Sequence, residues 1–417
     1  MRFAHASDIH LGFQDGAALQ GIEREVFEKV IDGCISRKVD FVLMPGDIFH
    51  VNIPEMRVQK FAFAGFRRLH EAGIPVYVVY GSHDFSPVYN SVIDLLAETG
   101  YITRVQLPEV TDDGKIRLGL VTDDKTGAMI AGLSGLKSGR DEEYYARLDR
   151  ENIPQGDGFK IFLFHGGITE AKTDERYNEG FMPASLLPRG FDYYAGGHLH
   201  KFIKIGDADH PIVYPGTPFA GQAVDLEDNA RGARRGFVIV DTGGDRPAVE
   251  FVEVRGAEYE LIEVDAHNRN AESVDTGLKE AAKGVSPERK VVIIKVTGEL
   301  SSGRTADVDI PAVRDAMVKG AALAVKVSRN QLTSREYRIT DAPGGTREET
   351  ERNTFAENIG EVRLKRDGLV GEQGVELACR LLEALRLPPL ANEKKADYQG
   401  RMIEGALKTM GLKADDS

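Results

Sequence analysis

Apolar positions in the first 255 residues keep changing period. "RFAHAS" (2–7) reads as a strand. Leu19, Ile22, Val26, Val30 and Cys34 then recur at three- and four-residue spacing, which lays one stripe along a helix. "FVLMPG" (41–46), a helix through Phe61 to Leu69, and "PVYVVYG" (75–81) repeat the alternation. Strand, helix and strand in this order predict parallel strand–helix–strand units. Further strands are predicted at "RLGLV", "AMIAGL", "KIFLFHGG", "FDYYAGGHLH", "PIVYPG" and "FVIVDT". Fewer helices separate these, so antiparallel pairing is expected there.

A shorter pattern follows from "AEYELIEVDA" to "ALAVKVS": a strand, a helix near 269–284, the strand "KVVIIKV", a helix near 311–319 and a last strand. It reads as a small α/β domain over 256–340, and it lacks any cluster of histidines or carboxylates. "DAPGGTREETER" combines Pro, two Gly and a charge run, so 341–369 is read as a linker. In the tail, 370–417, Val375, Ala378, Cys379, Leu382 and Leu385 form one stripe, and Tyr398, Met402, Ala406, Leu407 and Met410 form another. Two short amphipathic helices after a linker suit a partner's groove, with Leu382, Leu385, Met402 and Leu407 as the contacts. Folding back on the body is the alternative.

A chain of 417 residues exceeds one ordinary core, and 41% hydrophobic with 29% charged residues suits a water-soluble globular protein. No apolar run approaches the roughly 20 residues that span a bilayer, and the start "MRFAHASDIH" has no signal-peptide pattern. Cys34 and Cys379 sit on apolar helical faces and read as reduced core thiols. A cytoplasmic or nucleoid-associated protein, not secreted and not membrane-bound, is expected. The formal charge of −13 argues against coating nucleic acid by bulk electrostatics, although a local site is compatible with it.

Five segments share one property, a strand end followed at once by ligand-type residues. They are "SDIH" (Asp8, His10), "PGDIFH" (Asp47, His50), "YGSHD" (Ser82, His83, Asp84), "LFHGG" (His165) and "GGHLH" (His198, His200). Sites in open α/β sheets form beyond the carboxyl ends of strands, so all five can meet on one rim. Gly46, Gly81, Gly166 and Gly197 allow tight backbone turns there. Residues two apart in an extended segment point the same way, so Asp-x-His and His-x-His each present two ligands to one side. A lone Asp-x-His is ordinary in a protein; five such segments in order are not. Imidazoles with carboxylates and no thiolate suit manganese, iron or zinc. Asp8 and Asp47 would leave two divalent ions a residual positive charge, which lets an acidic protein attract phosphate. His5, His70, His210 and His267 lack this context and read as structural or solvated.

This ordered set resembles the calcineurin-like metallophosphoesterase superfamily, and "SDIHLG", "GDIFH", "GSHD" and "GGHLH" are most similar to the DNA double-strand-break repair nucleases of the Mre-eleven and SbcD type. "GDIFHVN" lacks the Gly-Asp-x-x-Asp-Arg-Gly of the protein phosphatases. The resemblance implies a four-layer α/β/β/α sandwich over 1–255, a small α/β capping domain and a helical tail. It assigns Asp8, His10 and His200 to one metal, His165 and His198 to the other, and Asp47 as the bridge. It makes His83 the acid, with His50 a helper; Asp84, adjacent to His83, could orient it. Two ions, most often manganese, would hydrolyse DNA from 3′ ends and nick near breaks. Family members form homodimers, which would place contacts near Phe61, Phe66 and Leu69 or near Val92 and Leu96, the alternative being that these residues only line the monomer core, and they bind an SMC-like ABC ATPase (SbcC or Rad-fifty) through C-terminal helices.

The third motif is usually Gly-Asn-His, with the asparagine oxygen on the second metal. Ser82 stands there instead, a shorter and weaker donor, so lower affinity or a bridging water is expected at that position. DNA-contact candidates are Arg231, Arg234 and Arg235 in "NARGARRG", together with Lys365 and Arg366. Two other readings stay open. One is a phosphodiesterase acting on small esters, and the other is a weakly active structural subunit of the repair complex.

Overall fold

The structure is a computed structural model and describes residues 1–86, 90–105, 109–136, 141–153, 156–173, 180–220, 222–329, 331–335, 346–361, 367–388, 390 and 395–412. Lys365 and Arg366 lie outside them. The chain divides into two compact units, Met1–Glu260 with Arg289–Val291, and Leu261–Glu288 with Val292–Ser417.

The first unit is built on two six-stranded sheets. In one, Arg2–His5, Phe41–Pro45, Val76–Val79 and Thr103–Arg104 run parallel in that order, and Gly236–Asp241 and Ala248–Glu253 extend the other edge antiparallel. In the other, Ile212–Tyr214, Tyr193–Gly197, Lys160–His165 and Met129–Leu133 are parallel. Ile203–Ile205 and Val121–Thr122 close its two edges antiparallel. Antiparallel pairing is therefore confined to the edges, and the second half of the unit is more parallel than its few helices suggested. Its central strands are covered on both faces, so Phe41–Pro45 is buried at every position instead of alternating.

The sheets face each other across Phe3, Leu43 and Val79 from one and Ile130, Ile161, Leu163 and Tyr193 from the other. Helices α1 (Ala17–Ser36), α2 (Met56–Glu71) and α3 (Val92–Glu98) follow strands of the first sheet. α4 (Asp141–Ala146) places Tyr145 in a second core with Phe162, Phe164 and Phe191, and α5 is Ala223–Ala230. This is the α/β/β/α layering that the resemblance implied. It also removes four of the suggested dimer contacts, because Phe66, Leu69, Val92 and Leu96 are at most 4% exposed within the single chain. Their helical stripe is the face that binds the protomer's own core. Phe61 is half-buried beside Phe27.

The second unit holds a sheet of Glu258–Asp265, Lys290–Leu300 and Ala324–Ser328, to which Leu332–Ser334 adds parallel to the long central strand. Helices α6 (Ala271–Lys283) and α7 (Ile310–Lys319) pack Val274, Leu278, Val313 and Met317 against Ile262, Val292, Ile294 and Val296. The expected linker holds a helix, α8 (Arg347–Glu361). Thr346 and Glu349 form a reciprocal cap at its start, and Arg347 pairs with Glu351 one turn on, so the charge run stabilises a helix instead of a loop. α9 (Gly371–Leu385) and α10 (Lys395–Met410) follow, with Arg386 forked onto Glu351 of α8 at 2.6 and 2.7 Å. Of the proposed contact residues, Leu385 is exposed, whereas Leu382, Met402 and Leu407 are half-buried. Leu387, Leu390 and Ile403 are the more exposed apolar positions of the tail.

One buried carboxylate in the first unit sets up a pH dependence. Glu23 of α1 is 5% exposed and accepts the backbone N–H of Gly12 at 3.1 Å. Burial pushes its carboxyl from 4.5 up to about 7. The folded state therefore favours the protonated acid, and stability falls as pH rises from the unfolded value through 7. Glu23→Gln removes that penalty. Urea midpoints of the variant and the parent should differ little at pH 5 and should diverge in the variant's favour by roughly 2 kcal/mol at pH 8.5; a gap independent of pH excludes this origin.

Candidate metal centre

The parallel strands of both sheets deliver their carboxyl ends to one place. Arg2–His5 leads to Asp8 and His10, Phe41–Pro45 to Asp47, and Val76–Val79 to Ser82 and His83; Lys160–His165 ends on its histidine, and Tyr193–Gly197 leads to His198. Glycine permits the approach. A methyl group on Gly197 would stand 2.0 Å from the Pro45 carbonyl oxygen, and one on Gly81 would stand 2.1 Å from an Asp47 carboxylate oxygen. Asp8, His10, Asp47 and His198 all adopt positive φ (54°, 51°, 49° and 98°), a conformation that costs a side-chain-bearing residue energy.

These turns bring the ligand atoms together. Single atoms of Asp8, His10 and His200 lie within 4.8 Å of one another, as do those of Asp8, Asp47 and His165. His10 Nε2 and His200 Nε2 are 3.2 Å apart, His165 Nε2 is 3.3 Å from Asp47 Oδ2, and His10 Nε2 is 3.8 Å from the same oxygen. The His198 ring stands against His165 with centroids 5.3 Å apart, and its backbone N–H donates to both Asp8 oxygens at 3.0 Å. Asp8, His10, Asp47, His165 and His200 are buried, whereas His50, Ser82, His83 and His198 are half-buried, so the cluster opens toward the latter four.

The donor set fits a divalent cation. His165 Nδ1 lies 2.9 Å from the Pro45 carbonyl, which can only accept, so Nδ1 carries the proton. Neutral His165 therefore aims an Nε2 lone pair at Asp47, also an acceptor, and that buried nitrogen has no hydrogen-bond partner. Two acceptors facing each other in a dry pocket need a cation between them. Without a metal a proton fills the role: burial opposes charge on His165, yet Asp47 and Asp8 outweigh it and raise its pKa to about 10. Burial raises Asp8, while Asp47, although also buried, is held well below the carboxylate range by His165 and His10. His198 is lowered to about 3 by burial and by His165, which keeps it a neutral donor.

The remaining residues divide. The rings of His50 and His83 stack at 4.7 Å, and His83 lies 4.9 Å from His10. His83 Nδ1 donates to the His50 carbonyl oxygen at 2.9 Å, and the His83 backbone N–H donates to Asp47 Oδ1 at 2.8 Å. Asp84 does not orient His83 as its neighbouring position suggested. Its two oxygens accept the N–H groups of Gly81 at 2.6 Å and Ile48 at 2.8 Å, tying two loops together. Arg235 is likewise no surface contact: it is 6% exposed and donates to the His200 carbonyl, to Asn229 and to Asp225. Arg231 and Arg234 are exposed and paired with Glu227 and Glu253. Sequence reading missed Asp225, whose Oδ2 lies 2.7 Å from His200 Nδ1; its one local signal was a carboxylate in the first turn of α5.

Residues 1–202 match the calcineurin-like phosphoesterase family, a class of metal-dependent hydrolases. The chain is 27% identical over 308 residues to the DNA double-strand break repair protein Mre11 of Sulfolobus acidocaldarius, covering 72% of this chain and 75% of that one. It is 28% identical over 281 residues to the Mre11 of Sulfurisphaera tokodaii, 64% of this chain and 66% of that one. It is also 27% identical over 277 residues to the uncharacterized metallophosphoesterase YhaO of Bacillus subtilis, 64% of this chain and 63% of that one. Residues 1–202 thus carry a calcineurin-like phosphoesterase domain, and over a longer stretch the chain is similar to curated Mre11 proteins.

Ser82 donates its hydroxyl to Asp47 Oδ2 at 3.3 Å. Part of its capacity is thus spent on another ligand. Ser82→Asn, with a longer arm and a carbonyl donor, should tighten the weaker manganese-binding step by about tenfold, or ~1.4 kcal/mol, in calorimetry. Unchanged binding removes Ser82 from the site.

Proposed function

We propose that this protein is a manganese-dependent DNA nuclease of double-strand-break repair, with 3′-to-5′ exonuclease and single-strand endonuclease activity, working with an SMC-like ABC ATPase. The observation that carries the reading is the placement of His83. It is half-buried at the open side of a buried ligand cluster, with Nδ1 committed to the His50 carbonyl, so that Nε2 is the ring atom left to exchange a proton. The names of the archaeal relatives support DNA as substrate.

Divalent ions held by Asp8, His10, Asp47, His165, His198 and His200 would supply the charge that activates water and neutralises the phosphate. The chain's own residues do the rest. Asp47, held ionised, and the neutral imidazoles keep the ligand set deprotonated. The stacked His50 ring and the carbonyl behind Nδ1 fix His83 in one orientation. As water oxygen bonds to phosphorus and the P–O3′ bond breaks, His83 in its doubly protonated form gives the Nε2 proton to the leaving O3′ and keeps the Nδ1 proton on the His50 carbonyl, yielding a 5′-phosphate and a 3′-hydroxyl. The homodimer, the cytoplasmic location and the docking of α9 and α10 on the ATPase belong to the same proposal. Leu385 of α9 and Ile403 and Met410 of α10 are exposed apolar residues of those helices. Among the described residues no helix is long and apolar enough to cross a membrane.

The second reading is an esterase for small phosphodiesters; the likeness to YhaO, a metallophosphoesterase whose name carries no DNA substrate, is compatible with it. Labelled linear DNA with manganese separates the two, assayed with and without the ATPase. His83→Ala should slow cleavage about 10²–10⁴-fold while manganese and DNA binding persist; wild-type cleavage by the variant removes His83 as the acid. A parent protein that hydrolyses a small diester and leaves DNA intact favours the second reading.

Arg231 and Arg234 remain candidate phosphate contacts. If they are, Arg231→Glu with Arg234→Glu lowers DNA affinity and reduces the steepness of its salt dependence by about one ion per lost contact. An unaltered salt slope excludes them.

A further inference from the structure

The two halves of the ligand cluster are supported by different chemistry. On the His200 side a carboxylate stands behind the imidazole: His200 Nδ1 is 2.7 Å from Asp225 Oδ2, and both side chains are buried. A carboxylate accepts only, so His200 carries its proton on Nδ1 and aims the Nε2 lone pair at the Nε2 of His10, 3.2 Å away. Asp225 is itself fixed. Its Oδ2 accepts the Gln222 N–H at 2.8 Å in the first turn of α5, and its Oδ1 lies 3.4 Å from Arg235 Nη2. Arg235 also donates to the His200 carbonyl oxygen and, at 3.1 Å, to that of Asp225. One buried guanidinium thus clamps both the main chain of His200 and the carboxylate that orients its ring.

Among the described residues nothing equivalent stands behind the other half. His165 Nδ1 rests on a neutral carbonyl, that of Pro45, and Ser82 lends its hydroxyl to Asp47. An anionic partner makes an imidazole a stronger donor than a neutral partner does, and it fixes the tautomer at the same time.

We infer that Asp225 and Arg235 are positioning residues that make the Asp8–His10–His200 half the tighter cation site, so that the two sites fill in order. The inference rests on the two-ion reading above. It accounts for Arg235, a buried cation in a run of basic residues whose neighbours are exposed. It also gives α5 a task, since its first turn delivers Asp225 to a ring 25 residues earlier in the chain.

The test is manganese binding to the full chain, followed by calorimetry and by electron paramagnetic resonance of the free ion, for the parent, Asp225→Asn and Ser82→Asn. Asparagine keeps the size and the acceptor oxygen of Asp225 and loses the charge. The parent should bind one ion distinctly tighter than the second. Asp225→Asn should weaken the tighter step about 10–100-fold and leave the weaker one in place, so the two steps converge. Ser82→Asn should alter only the weaker step. Asp225→Ala, checked for its melting temperature, should weaken the same step at least as much. If Asp225→Asn retains both parental affinities, or weakens both equally as a loss of local structure would, the inference fails while the two-ion reading stands. A parent that binds manganese in two equal steps also overturns it. A parent that binds none overturns the two-ion reading itself.

Discussion

The structure is organised around two carboxylates that water does not reach. Asp8 and Asp47 are 0% and 2% exposed and stand beyond the ends of two neighbouring parallel strands of the first sheet, Arg2–His5 and Phe41–Pro45. Burying an ion without partners costs several kcal/mol, so such a pair persists only where polar groups surround it. Here the Ser7 hydroxyl and the His198 N–H reach Asp8, and the His83 N–H, the Ser82 hydroxyl and His165 surround Asp47. These donors come from loops far apart in sequence. The same requirement holds the loops in register, so the chemistry and the cohesion of that end of the sandwich have one cause.

Bringing those donors in range imposes strain on the backbone. Among the described residues, four of the eight non-glycine positions with positive φ are Asp8, His10, Asp47 and His198. Glycine would relax each of them and would supply no ligand. Glycine appears instead at the neighbouring positions 46, 81 and 197, where a side chain would collide with a loop. Strain concentrated on ligand-bearing residues, with relief placed beside them, indicates that the position of the ligand atom outweighs local backbone preference.

This division explains what could be read from the sequence. Strands and helices of the first unit were legible because burial of one face imposes period on the chain, and the five ligand segments were legible because each is local, a strand end plus a short motif. Asp225, Arg235 and Asp84 were not. Asp225 acts on a ring 25 residues away, and Arg235 on a carbonyl 35 residues away. Arg235 sits in a run of basic residues that periodicity cannot distinguish from a solvated loop. Adjacency misled at Asp84, because sequence neighbours on a tight turn point in different directions. The charge run at Arg347–Glu351 looked like a linker because only its spacing of four, not its composition, carries the helix signal. The apolar stripe of α2 and α3 was read as a possible subunit face, when the protomer's own core needs it.

An excess of acidic over basic residues, 66 to 53, leaves the surface poorly suited to hold a polyanion by itself. The exposed arginines nearest to that task, Arg231 and Arg234, are matched by Glu227 and Glu253. Positive potential must then be generated locally, and the buried cluster is where the donor chemistry can concentrate it. With Asp8, His10, Asp47, His165 and His200 shielded and His50, Ser82, His83 and His198 half-exposed, a phosphate can approach from one side only. That side carries His83, whose Nδ1 is committed to the His50 carbonyl. Direction of approach and the placement of His83 are therefore set together, by which strand ends are buried and which are not.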